Sequence, residues 1–272
     1  MTRADILEKR RAFQALHQEG CFVIPNPWDV GSARYLASMG FKALASSSAG
    51  FAWSKGRPDG QLSREEVLDH LHQLVEAVDI PVNADFESGY AIDDAELEES
   101  IGLLLETGVA GFSLEDSTGD PQAPLMPVDE AARRISIARA LIDAKQHNVV
   151  LVGRAENFFV GVPDLDDTLE RLRAYAEAGA DCLYAPGIKT EKEIRAVVEA
   201  VTPRPVNVLI GWDSPFSVTD LAAMGVRRIS VGGALARTAW GGFMQAAQRL
   251  AQGHFDFMAQ AAPAAELNKL FR

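Results

Sequence analysis

The sequence predicts a closed (β/α)8 barrel of the TIM type, and three observations carry that expectation. A short apolar run followed by an amphipathic helix recurs eight times, with no linker-like stretch between the units. The 272 residues, 47% of them hydrophobic, suffice for one large core. The first apolar run ends in Pro25-Asn26-Pro27-Trp28, unlike the Gly-rich phosphate turn that opens a doubly wound sheet. Eight right-handed crossovers in series can close on themselves. The expected organisation is a single barrel over residues 1–272, with an N-terminal helix within 1–20 and a C-terminal helical tail over 253–272.

Residues 2 to about 18 place Ile6, Leu7, Phe13 and Leu16 among charges at helical spacing, which predicts an amphipathic helix that plugs the barrel or packs on its side. Phe22-Val23-Ile24 is the first strand, and Asp29 opens a helix that Gly40 closes. Ala43-Leu44-Ala45 is the second strand. A Ser/Gly-rich loop from Ser46 to Gly60 follows, then a helix capped by Ser63 with Glu66 three residues on. The third unit is Val82 to Asp85 with a helix around Ala95 to Glu106. The fourth is Gly111 to Leu114, stopped by Glu115-Asp116, with a loop over Ser117 to Pro127 and a helix from near Asp129. Val149 to Gly153 ends at Arg154, and its helix covers Asp164 to Ala178. Cys182 to Tyr184 precedes a helix over Glu191 to Val201. Pro205 to Leu209 with Val218 to Met224, and Arg228 to Val231 with Ala234 to Leu250, complete eight units.

The net charge is −12, from 38 acidic against 26 basic residues, and no Lys/Arg-rich run stands out, so nucleic acid is not an expected partner. No apolar stretch approaches membrane-spanning length and no signal core follows Met1, so a soluble, cytoplasmic protein without a membrane partner is expected. Cys21 and Cys182 open apolar runs without CxxC or Cys/His spacing and read as reduced packing residues.

In a barrel the active site lies at the carboxyl ends of the strands. Those ends carry Trp28 and Asp29; Ser46, Ser47 and Ser48; Asp85 and Glu87; Glu115 and Asp116; Arg154 and Glu156; and Asn207. Residues two apart on a strand share a side, so Asp85 and Glu87 converge if the extended conformation persists through Phe86. Paired carboxylates suit a hard divalent cation, magnesium or alternatively manganese. The competing reading makes Asp85 or Glu87 a cap for the next helix. Trp28 stacks on a ligand or simply packs at the barrel mouth. His17, His70, His72, His147 and His254 fall on helices or their ends and read as surface residues. Arg57 reaches a distal carboxylate or makes a surface ion pair.

Gly56-Arg57-Pro58-Asp59-Gly60, Asn83-Ala84-Asp85, Glu87-Ser88-Gly89-Tyr90 and Ser113-Leu114-Glu115-Asp116 occur in an order that resembles the isocitrate lyase and phosphoenolpyruvate mutase superfamily, over about Asn26 to Ala239. The resemblance implies a magnesium enzyme that breaks or rearranges a bond beside the carbonyl of a small 2-oxo or 2-hydroxy acid. It implies that Asp85 reaches the metal while Asp59, Glu87 and Glu115 hold its water shell. Ser47, Ser48 and Ala49 would cradle the substrate carboxylate, and Arg154 would pair with developing negative charge. Asn207 matches the family's amide residue. On this reading Arg154, Asp59 and Glu115 are the expected catalytic residues, and Trp28, Ser47, Ser48, Ala49, Asp85, Arg154 and Asn207 the substrate-binding ones. The last helix swaps between subunits in similar proteins, which implies a homo-oligomer, a dimer or tetramer.

The chain departs from the family where the lyases carry a Lys-Lys-Cys-Gly-His loop. Ser117 to Pro124 stands there, and no Cys, Lys or His occurs between Glu115 and Arg133. A retro-aldol cleavage needs such an acid/base. Decarboxylation or related C–C cleavage of an oxaloacetate-like acid needs the least machinery and is the first reading. Phosphonomutase or phosphonopyruvate hydrolase chemistry is the second, and a 2-oxoacid binding protein without turnover is the third.

Overall fold

The computed structural model describes residues 2–145 and 147–271; Met1, Gln146 and Arg272 lie outside the described residues, so the expectations for 1–20 and 253–272 are compared without their end residues. Eight parallel strands form one sheet: β1 Phe22–Ile24, β2 Leu44–Ala45, β3 Val82–Asp85, β4 Gly111–Glu115, β5 Val150–Arg154, β6 Cys182–Tyr184, β7 Val206–Leu209 and β8 Arg228–Ser230. Their order is β1-β8-β7-β6-β5-β4-β3-β2. β1 pairs with β8 through Phe22↔Arg228 and β2 with β3 through Leu44↔Val82. The β1/β2 seam is bridged where the Ala45 N–H donates to Pro25 O at 3.1 Å and Asn26 Nδ2 donates to Ser46 O at 3.0 Å. The sheet is thus a nearly closed (β/α)8 barrel.

Helices α1 Arg3–Leu16, α2 Val30–Ser38, α3 Ser48–Ser54, α4 Arg64–Ala77, α5 Asp94–Glu106, α6 Val128–Ala144, α7 Leu165–Glu177, α8 Glu191–Val201, α9 Val218–Ala223, α10 Ala234–Ala251 and α11 Ala264–Leu270 complete the fold. Short polar caps start most of them. Ser63 and Glu66 form the expected capping box of α4, and Thr190 with Glu193 forms another on α8. The inner faces of the helices bury aliphatic side chains against the strands, as with Val67, Leu71 and Leu74 of α4. Each fully buried residue of this size contributes about 1.5–3 kcal/mol.

Of the two placements expected for the N-terminal helix, the structure shows the plug. Phe13 is fully buried among strand residues that include Ile24, Val150 and Val152. Lys9 donates to the Val75 and Val78 carbonyls at the end of α4, and Arg10 donates to the Leu105 and Val109 carbonyls at the end of α5. Both cations satisfy helix carboxyl ends and lie against the dipole's negative pole. Their burial was not expected from a helix read as amphipathic with its charges in water.

Three further expectations are corrected. The segment expected as a loop over Ser46 to Gly60 contains α3, because Ser47 caps it with its hydroxyl accepting the Gly50 N–H at 3.1 Å. β3 stops at Asp85, and Glu87 adopts φ +46°, so the extended conformation does not run through Phe86. His70 is buried and stacked on Phe51, with ring centroids 3.7 Å apart, and burial pushes its imidazole down to about 4. His17 lies under the barrel beside Phe13 and Phe22 and is pushed down by burial and by Arg228 to about 3.

Candidate functional site

A cavity of about 360 Å³ opens at the carboxyl ends of the strands and runs down into the barrel. Asp85 stands at its wall. Its Oδ2 accepts the Ser48 N–H at 3.1 Å and the Ser48 hydroxyl at 2.8 Å, and its Oδ1 accepts Arg154 Nη1 at 3.0 Å. The backbone N–H of Asp85 is held by Ser46 Oγ at 2.8 Å, which locks β3 to the start of α3. Thus the serine run aims donors at Asp85, and Ala49 brings to the cavity wall a first helical turn whose N–H groups have no intrahelical acceptor.

Arg154 is the hub. Its Nη1 also meets Glu115 Oε2 at 3.1 Å, its Nε bonds Glu156, and its guanidinium carbon sits 5.3 Å from the Tyr184 ring centroid. Strand register explains the contacts, since Glu115 pairs with Arg154 and Arg154 with Tyr184 across β4, β5 and β6. Around this one cation stand Asp59, Asp85, Glu87, Glu115 and Glu156. Burial raises Glu115 well above the usual carboxylate range, with Arg154 opposing and Glu156 and Asp85 adding to the rise. Burial also raises Glu156, against the pull of Arg154. Glu87 is pushed up to about 7, mainly by burial, although the Tyr90 hydroxyl donates to it at 2.6 Å. Asp59 lies on the exposed rim, yet its carboxyl is raised by desolvation and then by Asp85. Burial, with more negative charge than the one guanidinium in contact with the cluster offsets, drives Asp59, Glu87, Glu115 and Glu156 toward their protonated forms.

That donor set fits a divalent cation. Among the described residues, no group of three or more Asp, Glu, His or Cys is arranged to enclose an ion alone. Magnesium suits such a place because it keeps several waters and takes only one or two direct carboxylates, while outer carboxylates orient the waters.

Residues 13–251 match the family model described as phosphoenolpyruvate phosphomutase. The chain belongs to the phosphoenolpyruvate phosphomutase family. A candidate lyase/mutase from Burkholderia cenocepacia J2315 is 46% identical, with a TM-score of 0.95, over 98% of this chain and 97% of that one. The oxaloacetate decarboxylase of Rhodopseudomonas palustris (strain BisA53) is 26% identical over 75% of this chain and 70% of its own length. A phosphonopyruvate hydrolase in complex with oxalate and Mg++ shares the fold at 23% identity and a TM-score of 0.86, covering 96% and 94%. The family comprises lyases and mutases that act on small acids.

Within this family member, the structure brings together Ser47, Ser48, Ala49, Asp59, Asp85, Arg154 and Asn207 as cavity lining. Glu87 and Glu115 do not line the cavity; they act on it through their charge, and Glu115 also through its bond to Arg154. Asn207 lies deep and fully buried, with Nδ2 donating to Ser230 Oγ at 3.0 Å. Trp28 is a correction. It does not line this cavity but a lateral one, beside Asp29 and Tyr35 of the α2 region and Leu267 and Phe271 of the tail. The reason lies two residues earlier: Asn26 turns inward, its Oδ1 accepting the Val231 and Gly232 N–H groups, and the chain then leaves the mouth. Trp53 and Trp212 line the site instead. Asp116, beside Glu115, faces away from it. Its carboxylate accepts the Tyr175 hydroxyl at 2.5 Å, Arg171 Nη1 at 3.0 Å and the Glu156 N–H at 2.8 Å. Among the described residues no histidine lines the cavity, and Arg57 makes an exposed ion pair with Glu66 at 2.7 Å.

Sequence reasoning missed Trp53, Tyr184, Trp212, Arg228 and Arg237. Tyr184 and Arg228 were findable as inward alternates on β6 and β8. Trp53 was hidden in a segment read as a loop.

Proposed function

We propose that the chain is a magnesium-dependent carbon–carbon lyase, acting on a small 2-oxo or 2-hydroxy acid by decarboxylation or related cleavage of an oxaloacetate-like substrate through an enolate. The observation that carries this is the guanidinium of Arg154 set among Asp59, Asp85, Glu87, Glu115 and Glu156 beside the cavity at the strand ends. Asp85 would hold the ion, with Asp59, Glu87 and Glu115 orienting its waters. When bound, magnesium supplies Lewis-acid polarisation of the carbonyl. The chain's own residues do the rest. Arg154, held rigid by its carboxylates and the Tyr184 ring, presents positive charge where the enolate oxygen develops, and preorganised stabilisation of that kind is worth several kcal/mol. Ser47 and Ala49 at the start of α3 orient the substrate carboxylate. Glu115, raised by burial, is placed as a proton reservoir behind Arg154. The loop from Ser117 to Pro127 is tied by an antiparallel bridge between Ser117 and Leu125 and offers no thiol, amine or imidazole, which favours bond breaking without a dedicated loop acid.

The match to the phosphomutase family model favours a second reading, P–C bond chemistry on phosphonopyruvate. A homo-oligomer is also proposed, because Trp240, Phe243 and Met244 of α10 and Phe255 and Met258 after it are exposed; a monomer in light scattering removes that part. The deciding experiment incubates the protein and an Asp85→Ala variant with magnesium and oxaloacetate, methylisocitrate, isocitrate or phosphonopyruvate, followed by proton and phosphorus NMR. Asp85-dependent pyruvate from oxaloacetate supports the first reading, and phosphoenolpyruvate or inorganic phosphate from phosphonopyruvate the second. Ligand line broadening without turnover of any substrate indicates a binding protein.

A further inference from the structure

Arg228 opens β8 and is 2% exposed, inside the barrel and at the floor of the cavity that holds Asp85 and Arg154 at its mouth. It differs from Arg154 in one respect. Among the described residues, no carboxylate pairs with it. Its Nε donates to Asn207 Oδ1 at 2.9 Å, and its Nη1 lies 3.4 Å from Asn83 Oδ1 and 3.5 Å from His17 Nε2. All three partners are neutral, His17 because burial and the arginine's own charge disfavour its imidazolium. No protein hydrogen bond is made by Nη2 among the described residues. A guanidinium keeps its proton in proteins, so this buried charge has to be offset by an anion or remain uncompensated.

The surroundings favour an anion arriving through the cavity. Most barrels fill their interior with branched aliphatic layers. Here the small or polar Ala45, Asn83, Ser113, Asn207 and Ser230, beside Tyr184 and Leu209, leave the interior open down to Arg228. Asn83 stands two residues before Asp85 on β3, so the floor begins one pleat repeat, about 6.6 Å, below the mouth. The Ser230 hydroxyl accepts from Asn207 and lies within reach of the Tyr184 hydroxyl on the cavity wall. The cavity is therefore polarised along its axis, with acids at the mouth and a lone guanidinium with neutral donors below.

We propose that Arg228, supported by Asn83, Asn207 and Ser230, is the subsite for a second acidic group of the substrate. The inference rests on the reading of the mouth as a 2-oxo or 2-hydroxy acid site and adds the residue, below the mouth, that holds the substrate's second acidic group. A carboxylate held on a buried guanidinium is stabilised as the anion and resists departure as neutral carbon dioxide. Of the two cleavages named under the proposed function, this favours the related carbon–carbon cleavage, whose product keeps the group at Arg228, over loss of that group as carbon dioxide.

The test is isothermal titration calorimetry with magnesium present, using oxalate as a head-only probe and two matched pairs: 2-oxopentanoate against 2-oxoglutarate, and 2-oxohexanoate against 2-oxoadipate. Wild type is expected to bind at least one diacid about tenfold or more tightly than its monoacid partner. Arg228→Met is expected to erase that ratio with oxalate binding retained. Arg228→Lys, which keeps the charge but not the planar fork, keeps part of it and carries the test if the methionine variant does not fold. Equal affinities within both pairs in wild type, or a ratio that survives in Arg228→Met, overturn the proposal. Failure of oxalate itself to bind wild type removes the 2-oxoacid reading of the mouth instead, which separates the two failures.

Discussion

Replacing Arg154 by methionine withdraws the one cation from between Asp85, Glu115 and Glu156 while keeping much of the packing volume. In the native protein the guanidinium meets Asp85 at 3.0 Å and Glu115 at 3.1 Å and also bonds Glu156. Removing one partner of a buried ion pair costs about 3–5 kcal/mol, because the other charge stays buried and uncompensated. Proton uptake sets how much of that cost is felt. Arg154 opposes the rise that burial imposes on Glu115 and Glu156, so in its absence both carboxyls climb further above their unfolded values. An acid raised in the folded state stabilises the fold at low pH and loses that contribution as the pH rises through its folded value. The deficit of Arg154→Met against wild type is therefore expected to be small at about pH 5 and to reach about 3–5 kcal/mol at about pH 8. Urea unfolding of both proteins in chelator, at the two pH values, measures it. A deficit below about 1 kcal/mol, or one equal at the two pH values, refutes the picture of Arg154 as the sole counter-charge. If the proposed chemistry is right, turnover in magnesium falls by about 10²–10³.

Asp116→Ala takes one of two carboxylates from the buried Arg171, which keeps Asp167 at 2.6 Å, and leaves the buried Tyr175 hydroxyl without its acceptor, so it is expected to cost about 1–3 kcal/mol in urea unfolding. A loss under about 1 kcal/mol would show that the network is not structural. Gly50→Ala puts a Cβ 2.8 Å from the Trp28 Cβ and 3.3 Å from the Ser47 hydroxyl, so it should destabilise by about 1–3 kcal/mol and weaken oxalate binding through displacement of Ser48. Unchanged oxalate affinity would detach α3 from ligand positioning. Trp53→Ala is expected to weaken oxalate binding in calorimetry and Trp28→Ala to leave it unchanged, in keeping with the different cavities the two line. The opposite order would restore Trp28 to the site.

The eight β/α units, the capping boxes and the strand-end residues Asp85, Glu115 and Arg154 were legible because each depends on local chemistry. An apolar run of strand length, a cap three residues before a glutamate, and a charge where an apolar run stops are all properties of neighbouring residues. Side-chain direction past a strand end was less legible. Glu87 was expected on the same extended strand as Asp85, yet it turns left-handed at φ +46° and meets the Tyr90 hydroxyl. Trp28 and Trp53 look alike in the chain. The Asn26 side chain, bound to backbone groups some 200 residues away, accompanies the turn that carries the first out of the mouth, and a serine-capped turn carries the second in.

Periodicity and end chemistry specify a barrel and the kind of reaction its mouth can support, since both are written in residues a few positions apart. Which carboxylates share Arg154, that Asp116 serves Arg171 instead, and that Arg228 stands without a carboxylate are matters of strand register and closure. Those interactions join residues far apart in the chain, and their strength depends on burial that exists only once the barrel has formed.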